Sequence, residues 1–359
     1  YRAVESAIGE MGGIRNFVKR GERVLIKPNL LSAHEPSRNI TTHPEVVRAV
    51  ARLCKDVGAL VAIGDSPALD SFQRVCVKTG MVGIADELDI DLVEFTHPTV
   101  VRDISNNVFK RIELAKQVFE ADKIINIPKL KTHSQMLMTL GVKNNFGTVV
   151  KQAKAEWHST AGTSRELFAT LLLDIYLSVR PSLTILDGIW GMEGMGPTNG
   201  VSKHIGIVAA SEHAIFLDLA VLTMLNIEWE RFPVFRQAKL RNLIDPSIEP
   251  PCFKGIIPDK FGKVPFSIPK LDSMNVIPKG LEALTRKYLV SKPLIVKELC
   301  ERCERCRSIC PKAAIKRLRN GLTIDYDLCI RCYCCQEVCD RDAIRFKKGI
   351  FLKITERLF

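Results

Sequence analysis

Lys123-Ile-Ile-Asn-Ile127 is a short apolar strand that runs without a break into Pro128-Lys-Leu-Lys-Thr-His133. A strand that ends in a cluster of cationic and imidazole side chains is the signature of a sheet whose carboxyl edge carries chemistry. The same pattern recurs on both sides of it. Arg23-Val-Leu-Ile-Lys27 is a buried strand followed by Pro28-Asn29, and Ala59-Leu-Val-Ala-Ile63 is terminated by Gly64-Asp-Ser-Pro67. Between these two, His43 to Val57 is amphipathic and stops at Gly58, a C-terminal cap. A helix near Ser71–Thr79 leads to a strand at Asp91–Phe95. Further on, the Ser164–Val179 helix precedes a strand at Ser182–Leu186 that stops at Asp187-Gly188, and the Ile205–Ala209 strand precedes the His213–Leu225 helix. Strands alternating with helices predict an α/β fold: a largely parallel sheet with flanking helices.

The C-terminal region reads differently. Cys300, Cys303, Cys306 and Cys310, followed by Pro311, form C-x2-C-x2-C-x3-C-P; Cys329, Cys332, Cys335 and Cys339 repeat the spacing. Zinc is the rival for repeated C-x2-C pairs, but zinc sites use longer spacers between pairs. Eight thiolates at this spacing suit two [4Fe–4S] clusters, with the last Cys of each run serving the other cluster. That assigns Cys300, Cys303, Cys306 and Cys339 to one centre and Cys329, Cys332, Cys335 and Cys310 to the second. Residues 296–346 thus resemble a bacterial-type two-cluster ferredoxin, a small α+β ferredoxin-like domain. Cys310-Pro-Lys-Ala-Ala-Ile315 is echoed by Cys339-Asp-Arg-Asp-Ala-Ile344, which predicts two halves related by a pseudo-two-fold. Asp340 stands where that family has Pro, and Cys334 adds a thiol beside Cys335.

The chain has 359 residues, enough for two or three domains. The expected division is an α/β domain over 1–247, an irregular Pro- and Lys-rich connection over 248–295, the cluster domain over 296–346, and a tail over 347–359. No apolar run is long enough to span a membrane, and no signal peptide is evident after Tyr1. Unpaired thiols such as Cys54, Cys76 and Cys252, together with clusters, point to a reducing, cytoplasmic setting. The net charge of +12 comes from Lys and Arg spread along the chain without any nucleic-acid-binding signature. It fits an acidic redox partner protein or an anionic substrate better than nucleic acid or membrane.

Lys27-Pro-Asn29, Gly64-Asp-Ser-Pro67, Pro128-Lys-Leu-Lys-Thr-His133, Thr139-Leu-Gly-Val-Lys-Asn-Asn-Phe-Gly147 and Leu186-Asp-Gly188 resemble the domain-of-unknown-function 362 (DUF362) family over about residues 20–225. That family often carries a C-terminal ferredoxin module. A more distant likeness is to the nickel-dependent lactate racemase group, whose sites also use Lys and His in an α/β cleft.

The site residues follow from their positions after strands. Lys27, Lys129, Lys131 and Lys143 make a cationic pocket suited to carboxylate or phosphate, with Asn29, Asn144, Asn145 and Asp65 as further substrate contacts. His133, His158 and Asp187 are the catalytic candidates. Gly191-Met-Glu-Gly-Met-Gly-Pro197 reads as a glycine-rich loop or lid, with Glu193 as a further catalytic candidate. It is neither a dinucleotide fingerprint nor a P-loop. The leading expectation is an oxidoreductase passing electrons through two clusters to a bound anion. The alternatives are a non-catalytic electron-transfer or maturation subunit, and a metal-dependent isomerase with structural clusters; a further metal or flavin would leave no mandatory motif.

Overall fold

The computed structural model describes residues 1–102, 107–151, 153–162, 164–244, 253–255, 264–269 and 291–347. Cys252, most of the 248–295 connection and all but the first residue of the 347–359 tail lie outside the described residues.

After helix α1 (Arg2–Gly9), strand β1 (Arg23–Pro28) opens the sheet. Helix α2 (Pro44–Val57) follows, starting at His43 and Pro44 and ending at Gly58, whose φ of 88° is the left-handed cap that glycine adopts without strain. It leads to β2 (Leu60–Asp65), then to α3 (Phe72–Lys78), α4 (Met81–Leu88) and β3 (Asp91–Glu94). A hairpin of β4 (Pro98–Arg102) and β5 (Arg111–Ala115) precedes α5 (Lys116–Glu120). Strand β6 (Lys123–Ile127) is interrupted at Pro128, which has no N–H for a ladder, and resumes as β7 (Lys129–His133), which folds back into β8 (Leu137–Thr139). Helices α6 (Gly141–Asn144), α7 (Ala153–Ala161) and α8 (Arg165–Val179) come next. They are followed by β9 (Leu183–Glu193), β10 (Val201–Ser211), α9 (Ala214–Met224) and α10 (Pro233–Leu240).

The sheet runs β3-β2-β1-β6-β9-β7-β8, with β10 along the other edge of β9. Pairings among β3, β2, β1, β6 and β9 are parallel, as is β7 with β9; β8 and β10 are antiparallel additions. Side chains alternate between two cores. Val24, Ile26, Ile125 and Ile185 face Val46, Val50 and Ile63, whereas Leu25, Ile124 and Leu186 face Phe168, Leu172 and Leu222. Burial on both faces is what a helix-covered parallel sheet requires. Chain order reverses between β1 and β6, and that switch opens a crevice beyond their carboxyl ends.

Two expectations are corrected here. The β9 strand does not stop at Asp187 but continues to Glu193, because β10 pairs with it along its length. The glycine-rich segment is therefore half strand, and its remainder is held down rather than a free lid. Glu193 ion-pairs with Lys203 at 2.9 Å and accepts from the Ser267 amide. The Gly196 amide donates to Thr132 Oγ1, and a Cβ at Gly196 would meet the Thr132 carbonyl at 2.3 Å.

The C-terminal module consists of β11 (Lys292–Ile295), α11 (Arg305–Ser308), β12 (Ile315–Leu318), β13 (Gly321–Ile324), α12 (Cys334–Glu337) and β14 (Ile344–Lys347). β11 pairs with β14 and β12 with β13. The duplication in sequence is a duplication in backbone: Arg302, Glu304 and Ala313 have positive φ, as do Arg331, Tyr333 and Asp342 at the equivalent places. The Ala314 amide donates to Cys310 Sγ and the Ala343 amide to Cys339 Sγ, each at 3.3 Å.

Candidate functional site

Three strands and one short helix build the site. Lys27 and Asn29 leave β1, Asp65 and Ser66 leave β2, and Lys131 and His133 lie on β7. Helix α6 brings Lys143 and Asn144, held by Asp218 of α9, whose two carboxylate oxygens accept from the Gly141 and Val142 amides at 2.6 and 2.9 Å. Burial raises the Asp218 carboxyl to about 7. Together these groups enclose a cavity of about 90 Å³, which α7 closes with Lys154 and His158 and the C-terminal module closes with Ile309, Cys334, Glu337 and Val338.

The lysines differ in their partners. Lys27 is buried, its ammonium 3.0 Å from Asp65 Oδ1; burial lowers its pKa and Asp65 opposes this. Lys131 donates to Asn29 Oδ1 at 2.9 Å and to the Ile40 carbonyl at 2.6 Å, but has no ion-pair partner among the described residues. Burial, reinforced by nearby Lys143, brings it to about 7. Lys154 donates to the Ser66 carbonyl at 2.6 Å and is likewise lowered to about 7 by burial. Burial also lowers Lys143, whose ammonium lies 6.0 Å from the Phe146 ring centre.

Both histidines are buried and held neutral, burial lowering each to about 4. His133 Nδ1 accepts from the Gln135 and Met136 amides, so its proton sits on Nε2, 2.9 Å from Glu337 Oε1. His158 stacks on Phe168 with ring centres 4.4 Å apart, and its Nδ1 has no hydrogen-bond partner among the described residues. Burial pushes the Glu337 carboxyl up, but His133, Lys143 and His158 together outweigh it and hold the group at about 2.

Of the site residues read from sequence, Lys27, Asn29, Asp65, Lys131, Lys143, Asn144, His133 and His158 line this cavity. Lys129, Asp187 and Asn145 do not. Lys129 and Asp187 point to another part of the sheet and neutralise each other at 2.9 Å, both buried, with Asp187 also accepting from the His43 amide. The Asn145 amide group is spent on the Gly141 and Val142 carbonyls.

The cluster cysteines line two further cavities. Cys300, Cys303, Cys306 and Cys339 share one; Cys310, Cys329, Cys332 and Cys335 share the other, so the last Cys of each run sits with the other run. Each set presents four sulfurs from loops whose left-handed residues turn the backbone around the space, a donor set suited to a cubane cluster. The module is docked on the α/β domain. Arg305 reaches Asp70 at 3.2 Å, Asp340 pairs with both His34 and Arg305, and Gln336 donates to the Met195 carbonyl. Asp340, in place of a proline, is thus a docking residue.

Residues 24–223 match the family model described as domain of unknown function (DUF362), and residues 322–345 match the 4Fe-4S binding domain. The chain belongs to the DUF362 family. Its C-terminal module is an iron–sulfur domain. A relative, the thylakoid-associated protein sll1697 of Synechocystis sp. (strain ATCC 27184 / PCC 6803 / Kazusa), is 40% identical over 231 residues, covering 64% of this chain and 71% of that protein. Among solved structures, the lactate racemase apoprotein from Thermoanaerobacterium thermosaccharolyticum aligns at a TM-score of 0.38 and 11% identity, over 60% of this chain and 53% of that one.

Sequence reading passed over three groups in the DUF362 cavity. Lys154 carried a weak signal, its nearness to His158. Glu337 lies between two ligand cysteines, where any polar residue reads as surface. Thr139, buried with an unpartnered hydroxyl among the described residues, had no signal beyond its place in the motif. The motif glycines also acquire a reason. A Cβ at Gly147 would meet Asp65 Oδ1 at 2.3 Å and Lys27 Nζ at 2.5 Å. Gly147→Ala is therefore expected to force that buried pair apart and destabilise the protein by about 1–3 kcal/mol, read as a lower anaerobic melting midpoint. An unchanged midpoint would show that the pair can shift aside.

Proposed function

We propose that this DUF362 protein is an iron–sulfur oxidoreductase that binds two [4Fe–4S] clusters and reduces or oxidises a small anion held in the cavity between its two domains. The observation that carries this is the shared wall. Cys334 lines both the anion cavity and the cavity of Cys310, Cys329, Cys332 and Cys335, while Val338 lines both the anion cavity and that of Cys300, Cys303, Cys306 and Cys339. Cys334 and Val338 thus stand on the boundary between the anion cavity and the two sulfur sets. When bound, the clusters supply one-electron transfer between an external donor protein and the ligand. Burying lysines without carboxylate partners is costly for the free protein, and an anionic ligand relieves that cost.

Within this reading Lys131, Lys143 and Lys154 bind the ligand's charge and Asn29 and Asn144 orient it. His133, whose Nδ1 is occupied by backbone amides, turns its Nε2 proton to Glu337 and positions that carboxylate in the cavity wall. His158, with a free ring nitrogen, is the proton acceptor or donor. Lys129 and Asp187 hold the sheet together instead of touching ligand. The buried thiols Cys54 and Cys76, which burial pushes up to about 12, are unreactive core groups, and with the clusters they suit a reducing, cytoplasmic setting. Among the described residues no helix is long and apolar enough to cross a membrane.

Two measurements test the reading. Anaerobically purified protein should hold about eight irons per chain, and Cys310→Ala should remove the same spectroscopic cluster as Cys329→Ala; loss of the other cluster would overturn the assignment. Reduced protein should be re-oxidised by a small-molecule fraction of cell extract, at least about tenfold more slowly in Lys131→Met, a loss of roughly 1.4 kcal/mol. Re-oxidation by protein fractions alone would make the chain an electron carrier.

A further inference from the structure

The charge and size of the cavity narrow the class of ligand, and this step rests on the reading of the cavity as the oxidoreductase's ligand site. Its walls hold four lysines, Lys27, Lys131, Lys143 and Lys154, against two carboxylates, Asp65 and Glu337. Asp65 is committed to Lys27 at 3.0 Å, and Glu337 faces His133 at 2.9 Å. With the lysines protonated, two positive charges have no counterpart. Polar atoms are left over as well: the Thr139 hydroxyl and His158 Nδ1 are buried, line or belong to residues lining the cavity, and have no partner among the described residues. Buried polar groups are rarely left unpaired in a finished structure, so these mark space that a ligand fills.

The other walls are apolar. Leu30, Phe146, Ile309 and Val338 line the cavity, the last two supplied by the iron–sulfur module. A bare inorganic oxyanion has nothing to place against hydrocarbon, whereas a carbon skeleton does. A volume of about 90 Å³ is well below the roughly 300–1,000 Å³ typical of sites for drug-sized ligands, which restricts the occupant to a few heavy atoms.

We infer that the cavity binds a compact organic dianion, a dicarboxylate of about two to four carbons, with its carboxylates on Lys131, Lys143 and Lys154 and its carbon chain against Phe146, Ile309 and Val338. Its two charges match the two uncompensated positive charges, and its short chain bridges the cationic wall of the DUF362 domain and the apolar wall of the module. Burial holds Lys131 and Lys154 at about 7 in the free pocket. A dianion raises both, so binding at pH 8 draws protons from the buffer.

The test is calorimetric titration of the anaerobic, cluster-loaded full chain at pH 8 with oxalate, malonate and succinate. Acetate, propionate and butyrate serve as monoanions, and inorganic phosphate as an oxyanion without carbon. The expected result is that one dicarboxylate binds at least about tenfold more tightly than the monocarboxylate of equal carbon number, with proton uptake revealed by buffers of different ionisation enthalpy. Lys143→Gln, checked for native cluster absorbance and melting, should lose at least about tenfold. Glu337→Gln, which removes a like charge from the ligand's surroundings, should gain about threefold. Equal binding of mono- and dicarboxylates, tightest binding of phosphate, or unchanged affinity in Lys143→Gln would each overturn the inference. Failure of every acid to bind would also overturn it, while the oxidoreductase reading stands or falls separately on re-oxidation by extract.

Discussion

Asp187→Ala is expected to destabilise the protein by about 3–5 kcal/mol while leaving the cavity walls intact. One Asp187 oxygen takes both the Lys129 ammonium at 2.9 Å and the His43 amide at 2.8 Å, and neither charged side chain is exposed to water. Removing the carboxylate strands an ammonium inside the sheet. It also frees the backbone amide at the N-cap of α2, so strand and helix lose their common anchor. The check is the anaerobic melting midpoint of Asp187→Ala beside that of the double variant Lys129→Met/Asp187→Leu. If the cost is an uncompensated buried charge, replacing both partners by apolar groups of similar size recovers most of the loss. A double variant as unstable as the single one would move the cost to the His43 contact.

That pair also shows where the sequence was legible and where it was not. The positions of Lys129 and Asp187 after apolar runs made both look like cleft residues. Strand ends do face the crevice, but β9 runs on beyond Asp187 to Glu193, so Asp187 lies within a strand and its side chain meets Lys129 from the neighbouring strand. Nothing in local periodicity distinguishes a strand that ends from one that is extended by an edge partner, here β10. Glycines at Gly188, Gly191 and Gly194 argued for a loop. At Gly188 and Gly191 the reason is instead close packing: a Cβ at Gly188 would strike Ile207 Cγ1 at 2.6 Å, and one at Gly191 would approach Leu130 at 3.3 Å.

The elements with strong local signals were readable. The α2 helix carried an entry proline and a terminal glycine, the β1, β2 and β6 strands were short apolar runs, and the cysteine spacing pointed to its module unaided. The cavity was half readable, because half of it is made by those strand ends. The remaining wall comes from α7 and from a module some 200 positions away in sequence. Glu337 reaches His133 only because Asp340 and Arg305 dock that module against His34 and Asp70. Docking is a property of two surfaces, and neither surface is periodic.

The cavity lysines should also give the protein an unusual dependence on pH. An unfolded lysine holds its proton up to about 10.5, whereas Lys131 and Lys154 in the folded protein release theirs near 7 because burial disfavours the charged form. Lys27 and Lys143 are lowered in the same direction. Between about pH 7 and 10.5 the unfolded chain therefore binds more protons than the folded one, and stability rises with pH across that window, by up to about 1.4 kcal/mol per unit for each group. Below about pH 7 these lysines are protonated in both states and the slope vanishes. Lys143, Glu337, Lys129 and Asp65 act on Lys131, and Asp65 and Lys27 on Lys154, so the lysines titrate together. Anaerobic melting midpoints measured at pH 7 and pH 9 should climb more steeply for wild type than for Lys131→Met, which has no proton to lose. Identical slopes would mean that the Lys131 ammonium keeps its charge in the empty cavity. A bound anion should flatten the wild-type slope, because it stabilises the charged lysines and returns their pKa values toward those of the unfolded chain. The same burial that weakens the free protein near neutrality is what makes its cavity selective for negative charge.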